Sequence, residues 1–284
     1  MILFMDNFSK KYIKNLIDES NNSLINAYSR MDMENQAWTK YTESEVSFIE
    51  QFIPSKASLI VDMGCGSARH IAELYKRGYT NVYGYDFSEN LIEKAKKNYP
   101  EIKDRLFVSY CRKIKLKKKS DVIFCLYVVI GSFENKRENL LIENQLKKNC
   151  KKGGIVISSV MNFELTKHNA KHIFNIYKEP KRLFQMEASS TMQKSGNIFN
   201  PDFYIIHKGS HVVYRKEMFT NDGLLDSEYI VRDRRYTMKE IKNIFTHRAF
   251  AILDSRFVQA GKWTTQLTPV DSKAKEILLV AKRR

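Results

Sequence analysis

The chain has 284 residues, a formal net charge of +16, 43% hydrophobic and 28% charged residues. That length can bury a sizeable core, as one domain with insertions or one domain plus a small cap, and the balance is ordinary for a soluble globular protein. No apolar run reaches the roughly 20 residues of a membrane helix, and the opening "MILFMD" is too short for a signal-peptide core, so a cytoplasmic protein is expected.

The four cysteines, Cys65, Cys111, Cys125 and Cys150, form no CxxC pair. Neither a zinc site nor a disulfide framework is suggested, no metal is expected, and reduced thiols fit the cytoplasm. Lysine and arginine gather in "CRKIKLKKKSD" (111–121), "QLKKNCKKGG" (145–154) and "VRDRRYTMKEIK" (231–242). A basic surface favours polyanions, but a composition rich in Lys, Asn and Ile also produces a merely solvated lysine surface.

Residues 7–53 read as helical, with Tyr12, Leu16 and Ile17 at helical spacing, and Pro54 ends the region. "SLIVDM" is a short apolar run that reads as a buried parallel strand. "GCGSARH" and a helix through "IAELYKRG" follow. "NVYGYD" is a second strand and "SENLIEKAKKNY" a second helix, with Ser88 as cap and Glu89 in its first turn. "RLFVSY", "DVIFCLYVVI" and "GGIVISSV" are further strands, the last two separated by the amphipathic helix "KRENLLIENQLKK". Strands alternating with helices predict a doubly wound, mostly parallel α/β sheet.

After Met161 the rhythm changes. "HNAKHIFNIYK" reads as a helix, then "RLFQMEASSTM", "FYIIHKG", "HVVYRKEMF" and "SEYIVRDRRY" read as strands with no helix between them. "TMKEIKNIFTHR" returns to helix, with Thr237 and Glu240 in capping-box spacing. "FAILDSRFV" and "KEILLVAKR" close as strands. The organisation expected is an N-terminal helical cap over 1–54, an α/β core over 55–165 and 237–284, and an inserted antiparallel β lid over 166–236.

A glycine turn between a first parallel strand and a helix lets a backbone approach a nucleotide closely. Asp86, ending the second strand about 22 residues after Gly64, is placed to accept hydrogen bonds from ribose hydroxyls. "GCGSAR" is neither GxGxxG nor a P-loop, and Asp62, two residues before the first glycine, would repel a pyrophosphate and suit a cation.

"VDMGCGSARH" followed by "VYGYDFSENLIEKAKK" resembles the signature of class I S-adenosylmethionine-dependent methyltransferases. "SDVIFCLYVVIGSFEN", "KKGGIVISSV" and "RRYTMKEIKNIFTHRAFAILDSRFV" resemble later elements of that superfamily, so the likeness runs from about Tyr41 to Arg284. It implies a seven-stranded sheet, S-adenosylmethionine as cofactor, and contacts from Tyr41, Asp62, Gly64, Cys65, Gly66, Arg69, Asp86, Phe87, Leu126 and Tyr127. Among these, Asp62 would orient the amino group, Asp86 hold the ribose, Phe87 pack on adenine, and Leu126 and Tyr127 line the methyl-donor end. Two features depart from the pattern. Ser67, Ala68 and Arg69 stand where the third glycine belongs, and "LFVSYCRKIKL" lacks the acid that meets the adenine amino group.

No proline lies in a [DNS]PP[YFW] motif or precedes a cysteine, which disfavours DNA-base methylation. The stretch after strand four is similar to that of the small-molecule and tRNA-modifying branches. The expected acceptor is an O or N of a small, anionic molecule. RNA, tRNA in particular, and a protein or peptide are the alternatives. Alternation places His211 and Arg215 on one face of a lid strand and Tyr214 on the other, and a lid carrying Arg232, Arg234 and Arg235 would roof the pocket with cations. The catalytic group is left open among Tyr127, His211, Tyr214, Arg215 and Tyr236.

Overall fold

The computed structural model describes residues 39–133, 135–169, 197–207, 211–221 and 224–284, together with 14, 15 and 18. Most of the helical cap read over 7–53, most of the helix read over 168–178 and the strand read over 182–192 lie outside the described residues.

After a 3-10 turn over Thr39–Tyr41, the chain runs through α1 (Thr42–Glu50), β1 (Ile60–Met63), α2 (Arg69–Lys76), β2 (Val82–Asp86) and α3 (Glu89–Asn98). β3 (Leu106–Val108), β4 (Ser120–Cys125), α4 (Lys136–Asn149), β5 (Cys150–Met161) and α5 (Phe163–Asn169) follow. Then come β6 (Asn197–His207), β7 (Val212–Asn221), β8 (Leu224–Arg234), α6 (Met238–His247), β9 (Phe250–Gln259), β10 (Lys262–Leu267) and β11 (Glu276–Arg283).

The main sheet has the order β10-β9-β11-β5-β4-β1-β2-β3. β1 to β5 pair in parallel, and β11 runs antiparallel to both β5 and β9. Ile60, Val61 and Met63 are fully buried because helices cover both faces of β1. Each such side chain contributes roughly 1.5–3 kcal/mol. α1 supplies Val46, Phe48 and Ile49 to one face, and α4 and α6 supply Ile142, Leu146, Ile241 and Phe245 to the other.

The sheet has eight strands, not the seven expected. The extra one, β10, is the return arm of a hairpin reversed at Gly261, whose φ is +73°. Its Trp263 is buried edge-on against Phe48 at 5.8 Å. The fourth strand also stops earlier than "DVIFCLYVVI" suggests. It ends at Cys125, and Tyr127 takes a left-handed φ of +62° that no strand tolerates.

The inserted strands form a separate three-stranded antiparallel sheet, β6-β7-β8. It is rooted on the core by backbone bonds. Arg234 N donates to Gly131 O at 2.7 Å, and Tyr236 N donates to Met161 O at 2.9 Å. Both helix caps read from the sequence form. Ser88 Oγ accepts from Leu91 N, and Thr237 and Glu240 complete their reciprocal capping box. Between Val108 and Ser120 the chain crosses from β3 to β4 without a helix.

Among the described residues no helix is long and apolar enough to cross a membrane, and no cluster of His, Cys, Asp and Glu could hold a metal ion.

Candidate functional site

β1 delivers the chain into the turn at Gly64, with Asp62 still inside the strand. Gly64 N and Cys65 N both donate to Tyr85 O, at 2.7 and 3.0 Å, which folds the turn back over β2. Gly64 has φ +94°, and a Cβ there would stand 2.3 Å from Val129 Cγ2, so the position admits only glycine without displacement. The place of the missing third glycine is taken by Ala68, held left-handed at φ +62° at a cost of roughly 1–2 kcal/mol.

Asp86 closes β2. Its Oδ2 accepts from Gly66 N and its Oδ1 from Ser88 N, each at 2.9 Å. Burial pushes its carboxyl above the ordinary aspartate value, those two amides pull the other way, and the charge of Asp62 adds to the rise. Asp62 is also raised, first by burial, against the opposing pull of His70 and Arg69. Two acids therefore share a buried cradle. Cys65 sits between them, its thiol pushed far up by burial and then by both carboxylates.

Below the turn lies a network that the sequence did not announce. Glu45 of α1 is fully buried and meets three partners. Its Oε2 lies 2.6 Å from Arg69 Nη2 and 2.8 Å from His70 Nε2, and its Oε1 accepts from the Tyr127 hydroxyl. Burial acts to raise Glu45, but hydrogen bonding and charge from His70, then Arg69 and Tyr127, hold it below the ordinary value. Arg69 also donates to the Tyr127 hydroxyl at 2.7 Å and to Thr42 Oγ1 at 3.0 Å. His70 Nδ1 stands 3.8 Å from Asp62 Oδ2, which joins the network to the cradle. Glu276, opening β11, is 3% exposed, and its Oε2 has no hydrogen-bond partner. Burial, with the nearby charge of Glu45, pushes it up to about 8.

The expected cofactor residues divide into three groups. Asp62, Gly64, Cys65, Gly66 and Asp86 come together at the turn. Arg69 and Tyr127 come together beside it, and Leu126 is buried at the end of β4. Phe87 stacks on Tyr110 with ring centroids 6.1 Å apart. Tyr41 packs on the hairpin at Gly261, where an added Cβ would meet its ring at 2.0 Å.

The catalytic candidates do not converge. Tyr127 commits its hydroxyl to Glu45 and Arg69, and burial drives its phenol well above the ordinary range. His211 stacks on Phe163 at 3.8 Å, with Nδ1 3.1 Å from Glu240 Oε2. Tyr214 and Tyr236 are fully buried. The side chain of Arg215 lies outside the described residues.

The cationic roof also needs correction. Arg232 and Arg234 are buried, as is Asp233, because both faces of the β8 root are covered. Arg235 is held by Asp233 at 2.7 Å and by Thr166 at 2.7 Å, and Arg234 lies over the Tyr236 ring and 3.5 Å from Glu240. A charged strand end expected to roof the pocket is a packed joint.

Glu45, His70 and Glu276 were missed. His70 follows Arg69 directly, and its place on the first turn of a buried helix was a usable signal. Glu276, an acid opening the apolar run "EILLV", was another. Glu45 gave no local signal, since its partner Tyr127 stands 82 residues away.

With that geometry in view, the comparisons with known proteins bear on the core. Residues 60–154 match the family described as a methyltransferase domain. The fold around that segment is the fold of solved S-adenosylmethionine-dependent methyltransferases. Over 145 residues the chain is 30% identical to the ubiquinone biosynthesis O-methyltransferase of Coxiella burnetii, covering 46% of this chain and 57% of that protein. Over 139 residues it is 26% identical to the mRNA cap guanine-N(7) methyltransferase of Schizosaccharomyces pombe, covering 44% and 38%. The chain thus spans under two thirds of the length of either relative. Among solved structures, the CcbJ methyltransferase of Streptomyces caelestis superposes with a TM-score of 0.65 at 11% identity, over 85% of this chain and 89% of that one.

Proposed function

We propose that the protein binds S-adenosylmethionine at the Gly64–Asp86 cradle and transfers its methyl group to an O or N atom of a small molecule. The observation that carries this reading is the donor set. The cradle presents two buried acids, Asp62 and Asp86, and its nearest guanidinium, Arg69, is already engaged by Glu45 and Tyr127. That set suits a cationic ligand with ribose hydroxyls and is wrong for a pyrophosphate.

The bound cofactor would supply an electrophilic methyl group on a sulfonium. The chain's own work is alignment and exclusion of water. Asp86, pinned by Gly66 N and Ser88 N, holds the ribose. Asp62 takes the amino group of the cofactor's amino acid end. Tyr127, fixed by Arg69 and Glu45, walls the methyl-donor side. The β6-β7-β8 sheet is the lid that roofs the acceptor.

A small-molecule acceptor agrees with the ubiquinone-pathway relative. The second reading, an RNA acceptor, is favoured by the exposed lysines at 113, 115 and 117–119 and by the cap-methylating relative.

Asp86→Ala tests the cofactor assignment. Losing hydrogen bonds to a charged acceptor costs on the order of 1.5–3 kcal/mol, so titration calorimetry should show S-adenosylmethionine affinity reduced about tenfold or more. Unchanged affinity would remove Asp86 from the site.

A further inference from the structure

β3 is the edge strand of the main sheet, and the crossover that follows it carries no helix. Among the described residues no helix covers the β2–β3 end of one sheet face, where Tyr83 and Tyr85 are partly buried. What it presents is aromatic. Tyr83 and Tyr85 project from β2 on that face, and Phe107 of β3 stacks on both, at 6.5 Å and 28° and at 5.3 Å and 24°. Just beyond, Phe87 and Tyr110 form a second stack at 23°. Phe107 and Tyr110 are 40% and 44% exposed, an unusual state for two neighbouring large rings at a sheet edge.

The same face is cationic. Arg105 lies over the Tyr83 ring at 5.8 Å, and Arg112 and Lys113 lie over Tyr110 at 5.7 and 6.0 Å. Arg112 is also paired with Glu138. Lys113, Lys115, Lys117, Lys118 and Lys119 are all exposed. From 103 to 119 the chain carries eight lysines and arginines and one acid, Asp104.

We propose that this aromatic β2–β3 face binds single-stranded RNA, with bases stacked on the Tyr83–Phe107–Tyr85 rings and phosphates along the lysines of 113–119. The pairing of flat rings with flanking cations is what an unpaired strand requires. Each base offers a π face, and each step offers a negative charge. A duplex hides its base faces and would meet only the lysines. An acidic protein surface would match the charge but leaves the ring stack without a role. The inference goes beyond the methyl-transfer reading and does not require RNA to be the acceptor.

The experiment is fluorescence anisotropy at physiological salt. It uses an RNA single strand of about 12 nucleotides, within the usual site size, the blunt duplex of the same sequence, and a polyglutamate peptide. The single strand should bind more tightly than either comparator. Phe107→Ala should weaken it by about tenfold, the loss of one stacked base, and Phe107→Trp should retain it. Titration with S-adenosylmethionine should be unaltered in both, which separates this proposal from the cofactor assignment.

If Phe107→Ala loses cofactor binding and fold as well, the exposed triple variant Lys117→Gln, Lys118→Gln, Lys119→Gln decides. The slope of log affinity against log salt should fall by about 2, at roughly 0.7 for each phosphate no longer met. Equal binding of duplex and single strand, tighter binding of polyglutamate, no binding at physiological salt, or an unchanged salt slope in the triple variant would overturn the proposal.

Discussion

The glycine turn and the seam beside it both stand at the carboxyl edge of the sheet, yet they are assembled from contacts of different reach. In the turn, Gly66 N meets Asp86 Oδ2 across 20 residues. In the seam, Tyr127 meets Glu45 across 82, and Asn162 Nδ2 meets Pro269 O and Ala274 O across 107 and 112. The cradle is thus set by one βαβ unit, with its strain confined to Ala68. The walls around it are set by the whole domain coming together. Short-range contacts shape the turn, and long-range packing shapes the walls beside it.

The comparison breaks hardest at Glu45. Glu45→Ala leaves the buried Arg69 guanidinium with the Tyr127 and Thr42 hydroxyls but no counter-charge. Removing one partner of a buried ion pair costs about 3–5 kcal/mol. Thermal unfolding should shift down by about 10 °C. An unchanged midpoint would mean that the α1 network contributes nothing to stability.

Gly131→Ala strikes the seam alone. Gly131 has φ +122°, and a Cβ there would lie 2.5 Å from the Arg234 carbonyl oxygen, which is backbone and cannot swing away. The expected cost is about 1–3 kcal/mol. Hydrogen exchange should speed up at the Arg234 amide while the Gly66 and Ser88 amides keep their protection. Equal loss at both places would show that turn and seam open as one unit.

The smallest effect, read over the single unit between pH 7 and 8, is a dependence on pH. Glu276, raised to about 8, and Glu143, raised to about 7 by burial, hold their protons more tightly folded than unfolded. Their contribution is most favourable at and below about 4.5. It declines as pH rises, to about 7 for Glu143 and about 8 for Glu276, and is level above. The slope is on the order of 1 kcal/mol per pH unit for each group. Glu276→Gln should flatten the urea midpoint between pH 7 and 8 and leave the Glu143 share below pH 7. A slope that survives there would place the titration elsewhere.

The turn was legible because its meaning is local. Glycines at 64 and 66, an acid at 86, Ser88 before a helix and the Thr237–Glu240 box each act within a few bonds of their own position. The seam was not legible for the opposite reason. The arginines of "VRDRRY" were expected to face a pocket, and the covered root of β8 buries Arg232 and Arg234 instead. β10 hid behind Gly261, although a glycine between two β-rich runs was a hairpin signal. Glu45 looked like any helix-surface acid, and only the fold brings Arg69, His70 and Tyr127 to it.

Burial of the thiols has a practical consequence. Cys65, Cys125 and Cys150 are all buried, and each thiol is pushed above its ordinary ionisation. Alkylating reagents consume thiolate, so the closed molecule offers them almost nothing. Labelling at each position then proceeds only as fast as that part of the chain breathes open. The three sulfurs become built-in clocks: one in the cradle, one at the centre of the sheet and one at the far end of β5. A ligand that seats in the cradle should slow the Cys65 clock and leave the Cys150 clock running at its own pace.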